Sequence, residues 1–402
     1  MTVVKALAST LLSLLLFLCL SIAGVAVTVN ATALNSGFVT RQIDKLDVVA
    51  LFNEEAVPEL QETEGLSDHP EVIASLQTAV EHNAPAVKSA VNQAVTDIYD
   101  YLLHGGEIDL RSTLRSSVLD PSLATSIIND LDLSIFIHDM LIEDMPLDGV
   151  DIAGTSIDLS QYADNVTAAI QPWVKEQLIL LVPQLYDYIL GESPAPELTI
   201  PVGPVLGDIG AALKSALLAS PPPALAGLTP AQLSLAFDAA WAQTLPQMPE
   251  AIALDLSETQ ADSPAGTGQS LDDAQRGLVQ AREVIVYYQE AFWGLVGLTL
   301  ILILGIVLIN HNVKVNCRIL GSTFTTYGVI EAAGILISRS LVHSQLSSIA
   351  DLPQSLRPWL AQLADSVMQP LLIFAIACAA LGVILFVVSF LYNRRREPST
   401  SP

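Results

Sequence analysis

One residue of this chain is placed where its type alone demands an explanation. Glu331 lies near the middle of an otherwise apolar stretch, residues 322–342. An ionised carboxylate at the centre of a bilayer costs about 2.5–3.5 kcal/mol on insertion scales, so such a side chain has to face other helices or water. Three roles are open to it: a protonated or hydrogen-bonded structural group, an ion or proton site, or a contact between protomers. Small residues at four-residue spacing in the same stretch, Gly328 with Ala332 and Gly334 with Ser338, suit close approach of another helix and make oligomer formation through this segment a candidate. Arg339 is eight residues further on, about 12 Å along a helix axis, too far to pair with Glu331 within the helix.

The other chemistry-bearing side chains are scattered. His69, His82, His104 and His138 fall in different segments, and no HExxH or Cys/His spacing announces a metal. His138 and Asp139 with Glu143, Asp144, Asp148 and Asp151 form an acidic cluster, but it lacks the D-x-D-x-D-G order and closing Glu of an EF-hand loop, so it reads as a solvated face rather than a cation site. There is no phosphate-binding loop, dinucleotide glycine motif or G-x-S-x-G elbow, so the sequence nominates no catalytic residue, metal ligand or cofactor and leans away from an enzyme. Two N-x-[ST] sequons, at Asn30 and Asn165, are candidate glycosylation sites.

The elements that must position these residues are first of all membrane spans. No charge occurs between Ala6 and Ala26, and at about 1.5 Å per residue that run crosses a hydrocarbon core. Residues 291–309 and 370–392 pass the same test, and residues 322–342 make a third C-terminal crossing despite Glu331 and Arg339. The first segment reads as a signal anchor or a cleaved signal peptide, with Ala26 and Ala31 as small residues for a peptidase. Lys5, then Lys314 and Arg318, then Arg394, Arg395 and Arg396 flank the spans on one side, which places them in the cytoplasm and the large intervening domain outside the cell.

That expected exterior part, residues 31–290, holds 38 Asp and Glu against 9 Lys and Arg, a net charge of −29 in a chain of −25. Such a surface repels nucleic acid and attracts cations and basic partners. Cys19, Cys317 and Cys378 all lie outside it, so the domain is held by its core alone.

Within it the chain repeats itself. Pro85, Val87-Lys88 and Tyr99-Asp100-Tyr101 recur 87 residues later as Pro172, Val174-Lys175 and Tyr186-Asp187-Tyr188, each followed by a glycine, Gly105 or Gly191, and an alternating segment that predicts a short strand, residues 107–110 or 197–200. In the first copy Val87, Val91, Val95, Ile98 and Leu102 form one helical stripe; in the second, Val174, Leu178, Leu181, Leu185 and Ile189, with Pro183 expected to kink the helix. Thr229-Pro230-Ala231-Gln232 is a helix start with a reciprocal cap. Residues 252–256 alternate as a strand. Residues 257–268 read as a linker, and Ser270 with Asp273 opens a helix that nothing interrupts before Asn310. Tyr287, Tyr288 and Trp293 suit an interfacial belt.

The expected organisation is therefore a leader span (1–30), two exterior repeats (31–112 and 113–203), a helical extension and linker (204–268), a stalk running into the second span (269–310), a cytoplasmic loop (311–321), a third span (322–342), an exterior amphipathic segment (343–369), a fourth span (370–392) and a basic tail (393–402). The fold class is mainly α with a few short strands in an α+β exterior domain, plus an N-terminal membrane helix and a three-helix C-terminal bundle. The leader followed by Leu34-Asn35-Ser36-Gly37-Phe38, the Tyr-Asp-Tyr segments and Tyr327-Gly328-x-x-Glu331 resemble an uncharacterised family of prokaryotic multi-pass membrane proteins with a duplicated exterior domain. The resemblance implies that topology and a prokaryotic host, and no activity. The functional expectation is a non-enzymatic scaffold or interaction protein of the cell envelope, contacting the bilayer and an exterior protein, glycan or cation, with an ion or small-molecule sensor or transport component built on Glu331 as the alternative.

Overall fold

A computed structural model describes residues 2–62, 69–138, 150–193, 198–248, 251–254, 265–310, 312–346 and 352–394. The chain is mainly helical with short strands, as its periodicities require. In order, the principal elements are α1 (Thr2–Ala31), α2 (Ser36–Asp44), α3 (Pro70–His104), α4 (Pro121–Asp130), β1 (Val150–Ile152), β2 (Thr155–Ile157), α5 (Ala163–Ile189), β3 (Leu198–Pro201), α6 (Gly203–Ala219), α7 (Pro230–Thr244), β4 (Ala251–Leu254), α8 (Ala265–Asn310), α9 (Val313–Leu346) and α10 (Leu356–Arg394). They form two compact units: Met1–Asp47, Asn92–Ile108 and Arg276–Pro402 make the first, and Val48–Val91 with Asp109–Gln275 the second.

The first unit contains the long apolar helices. Four are long and apolar enough to cross a membrane, Leu7–Ala31, Ser270–Asn310, Val313–Gln345 and Leu356–Leu391, and they mark a multi-pass membrane protein. Asn310 Nδ2 donates to Ser9 Oγ at 3.1 Å, and the Tyr288 hydroxyl donates to the Ala26 carbonyl at 2.7 Å, so α8 runs antiparallel to α1. Ser13 meets Thr323 and Phe17 meets Tyr327, so α9 runs parallel to α1. Between them lies an apolar core of Leu16, Leu20, Leu302, Ile306, Phe324 and Tyr327.

The tightest contact is between α9 and α10. Gly321 stands with the Gly382 carbonyl 3.0 Å from where a Cβ would be, Gly328 is pressed against the Ala375 carbonyl and Ala379, and Gly382 against Thr325. Lipid tails are as apolar as leucine, so helices associate in a bilayer by such close backbone packing. Gly334, the other small residue singled out in the sequence, has open space around it.

The second unit has a core of its own, built by α5, α6, α7 and the β1–β2 hairpin around Ile152, Leu159, Val166, Ile209, Leu213 and Phe237. Gly210 lets α6 approach the Trp241 indole, whose Nε1 lies 2.5 Å from a virtual Cβ, and Phe237 stacks on the same ring at 6.0 Å. β3 pairs antiparallel with β4, joining segments on either side of α6 and α7. The capping box at Thr229 and Gln232 forms in full at the start of α7.

The structure departs from the sequence reading at several points. Residues 107–110 form no strand: Asp109 instead caps a short helix, Leu110–Arg115, by accepting from the Arg111 N–H at 3.1 Å. The second stripe is used only in part, because the face of α5 that enters the core is Val166, Ile170, Trp173, Val174 and Leu178, while Leu185 is exposed. α5 continues through both Pro172 and Pro183. The 311–321 loop is largely absorbed into α9, which starts at Val313. The amphipathic segment is likewise not a separate element, since residues 356–369 are the first turns of α10. α8 begins at Ala265, before the Ser270 cap, and runs unbroken to Asn310, about 70 Å. Residues 257–264 of the expected linker, Ile349 and Asp351 of the amphipathic segment, and Arg395 and Arg396 of the tail lie outside the described residues.

Both Tyr-Asp-Tyr segments sit in the last two turns of a long helix followed by a glycine with positive φ, Gly105 at 86° and Gly191 at 70°. The first lies within the first unit: the Tyr99 hydroxyl donates to the Ala33 carbonyl at 2.8 Å, and the Arg282 guanidinium lies 5.2 Å from the centre of the Tyr101 ring and fills the space a side chain at Gly105 would need.

Two expectations follow. Gly328→Ala will lower the thermal stability of the full chain in detergent by about 1–3 kcal/mol, since neither backbone nor Ala379 can yield, whereas Gly334→Ala will be neutral. The β1–β2 turn carries Ala153 at φ 58° before Gly154 at 81°, a left-handed pair that disfavours a Cβ, so Ala153→Gly will stabilise the second unit by about 1 kcal/mol in denaturant titration.

Candidate functional site

Within little more than one turn α9 carries Tyr327, Gly328 and Glu331. Gly328 brings α10 against α9, and the approach buries Tyr327 completely. Its ring meets Phe17 edge-on at 5.8 Å and Phe374 at 6.0 Å, joining α1, α9 and α10 at one point. The phenol hydroxyl points at Gly24 of α1, where any side chain would collide with it, and it has no hydrogen-bond partner among the described residues.

Glu331 is four residues on, hence on the same face of α9 as Tyr327, and is half-buried. Its neighbours Val329 and Ile330 are exposed, on the face that lipid covers. Arg339 serves another carboxylate: its Nε lies 3.4 Å from Asp365 Oδ1, with His343 Nε2 3.4 Å from Oδ2. Glu331 forms no ion pair with any described residue. One carboxyl beside one phenol can hold a proton. A calcium ion takes six to eight oxygen ligands and magnesium a near-ideal octahedron, so this arrangement suits a proton better than a divalent cation.

A second site lies at the end of the bundle to which α2 belongs. Asn35 caps α2 by accepting from the Phe38 N–H at 3.1 Å, and the Trp359 indole N–H donates to the Gln42 carbonyl at 2.7 Å, holding α2 on α10. Beneath α2 is a cleft of about 600 Å³ walled by α1 and α10, with Arg41 and Lys45 at its rim. Sequence reading missed it. The available signal was two cations four residues apart directly after a membrane span, in a region otherwise dominated by acids.

The remaining candidates are kept apart. His69 lies 3.2 Å from Glu71, His82 3.0 Å from Asp130, His104 2.8 Å from Asp100 and His138 2.9 Å from Asp164, each in its own place. Among the described residues no three His, Cys, Asp or Glu side chains gather as a metal site. Of the acidic cluster, residues 139–149 lie outside the described residues, and Asp151 works as a turn residue, accepting from the Gly154 N–H at 2.8 Å. Asp132, missed as a local feature, accepts from the hydroxyl and the backbone N–H of Ser134, which hold its carboxyl below the usual range. Asn30 is half-buried in the last turn of α1, and the Thr32 hydroxyl of its sequon donates to the Thr28 carbonyl at 2.7 Å. Asn165 is exposed at the start of α5, with the Thr167 of its sequon buried.

No protein-family model matches the chain, and neither a curated protein nor a solved structure matches it.

The Tyr327–Glu331 pair is tested by two conservative changes in the full chain. Tyr327→Phe will leave thermal stability in detergent unchanged or slightly raised, because it removes a buried hydroxyl without a partner. A loss of about 1 kcal/mol or more would show instead that the hydroxyl is bonded in the membrane. Glu331→Gln will preserve thermal stability in detergent, because the amide keeps the size and hydrogen-bonding capacity of the side chain without a charge to bury.

Proposed function

We propose that this chain is a membrane-anchored interaction or scaffold protein of the cell envelope, with the second unit as its recognition part, presented outside the cell. The observation that carries this reading is a segregation of charge between units that each have a core. The second unit holds 31 Asp and Glu against 5 Lys and Arg, while the membrane unit is almost balanced, with 11 against 12. A strongly acidic folded unit joined to a nearly neutral bundle is suited to attracting cations and basic surfaces and to repelling nucleic acid and anionic lipid.

The orientation is supported by the helix directions. Because α1 and α9 run one way and α8 the other, Lys5, Lys314 and Arg318 fall at one end of the bundle. Ser389 donates to the Lys314 carbonyl at 3.2 Å, which brings Arg394 to that end too. Clustered Lys and Arg favour the cytoplasm. A second reading, a sensor or transport component for protons or small molecules, is favoured by the half-buried Glu331 beside the unpartnered Tyr327 hydroxyl.

The test uses the full chain in intact cells. Cysteine placed at exposed Ala211 of α6 will react with a membrane-impermeant thiol cross-linker without permeabilisation, whereas Cys317 will need it, and the Ala211→Cys adducts will include one discrete species lost at about 1 M salt, where the Debye length falls to ~3 Å. Protection of Ala211→Cys in intact cells would overturn the orientation. Adducts that are diffuse or indifferent to salt would overturn the interaction reading.

A further inference from the structure

The cleft beneath α2 combines features that a water-filled surface groove does not need. Two of its walls are membrane helices: Val27 and Ala31 come from the end of α1, and Ile373, Phe374 and Ala377 from α10. Ile373 is 59% exposed and Ala377 is exposed, on a helix whose outer face is covered by lipid. The roof is α2 with its C-cap Lys45, which places Arg41 and Lys45 four residues apart above this apolar floor. Both are exposed; Arg41 forms no ion pair among the described residues, and Lys45 reaches only Gln42 Oε1, at 3.4 Å.

The nearby acids are engaged elsewhere. Asp44, on α2 itself, accepts from Asn92 Nδ2 at 2.7 Å, and Asp365 is taken by Arg339 and His343. The cleft's own polar wall, Ser366 and Gln369, is uncharged. In a chain of net charge −25, this leaves a pair of cations that form no ion pair among the described residues at the level where the spans end.

We propose that this cleft binds an anionic phospholipid of the surrounding bilayer, its phosphate held between Arg41 and Lys45 and an acyl chain lying along Ile373 and Ala377. A soluble anion would use the two cations but not the apolar floor. A zwitterionic lipid would present its own cation to them. The volume, about 600 Å³, accommodates part of a lipid and leaves the rest in the membrane. The site lies wholly within the membrane unit and does not rest on which end of the bundle faces outward.

The experiment is native mass spectrometry of the full chain after exchange into phosphatidylglycerol or phosphatidylcholine of identical acyl chains. Wild type will retain phosphatidylglycerol in preference by about tenfold, as two basic residues near an anionic surface would give. The doubly substituted Arg41→Gln, Lys45→Gln protein will lose that preference, the charge-conserving pair Arg41→Lys, Lys45→Arg will keep it, and Ile373→Trp, which fills the floor and leaves the cations in place, will weaken retention. Equal retention of both lipids by wild type, a preference unchanged in the Gln pair, or displacement of the lipid by millimolar inorganic phosphate would overturn the proposal. Should the Gln pair fail to fold, Ile373→Trp decides it by the same measurement.

Discussion

The close packing of α9 on α10 is the contact on which the rest of the membrane unit depends. Gly321, Gly328 and Gly382 bring two backbones together where hydrocarbon provides no reason for helices to associate beyond fit. Once these backbones touch, Tyr327 has nowhere to go but inward, against Phe17 and Phe374, and its ring then fixes the position of α1. The same antiparallel register pairs Ser389 with Lys314 near one end and Arg339 with Asp365 near the other. A polar contact near each end and glycines between them set one alignment of two helices that have many apolar alternatives.

Glu331 acquires its meaning from that alignment. On an isolated helix it is an expensive charge. Beside Tyr327, on a half-buried face, it is turned from the lipid that covers Val329 and Ile330. The neighbouring Arg339 does not neutralise it, since Asp365 and His343 form a separate cluster towards the end of the spans.

The second unit is stabilised differently. It carries the acidity of the chain and is held by ordinary burial of Ile152, Val166, Ile209, Leu213 and Phe237 without a disulfide. Ion pairs such as Arg115 with Glu192 at 2.6 Å lie exposed on its surface, and exposed pairs contribute little. An acidic surface on a core of this kind favours solubility and selective association over strength of fold.

Sequence alone determined the features that depend on local chemistry. The four spans, the capping box at Thr229 and Gln232, the helix stops at Gly105 and Gly191 and the uninterrupted run to Asn310 are written in composition, period and short-range hydrogen bonding, which neighbours in the chain settle between themselves. The strand at residues 198–200 was legible but its partner was not assured, because pairing with Ala251–Leu254 joins residues some fifty apart. Residues 107–110 had the same alternation and formed no strand, since Asp109 caps the helix that begins at Leu110. Only the tertiary structure decided which small residues pack, Gly328 rather than Gly334, and which half of α5 enters the core. It also decided that Arg41 and Lys45, unremarkable in the sequence, stand over an apolar cleft. The physical reason is common to these cases: a side chain's type states what contact it can make, and the contact itself depends on a surface that another part of the chain has to bring.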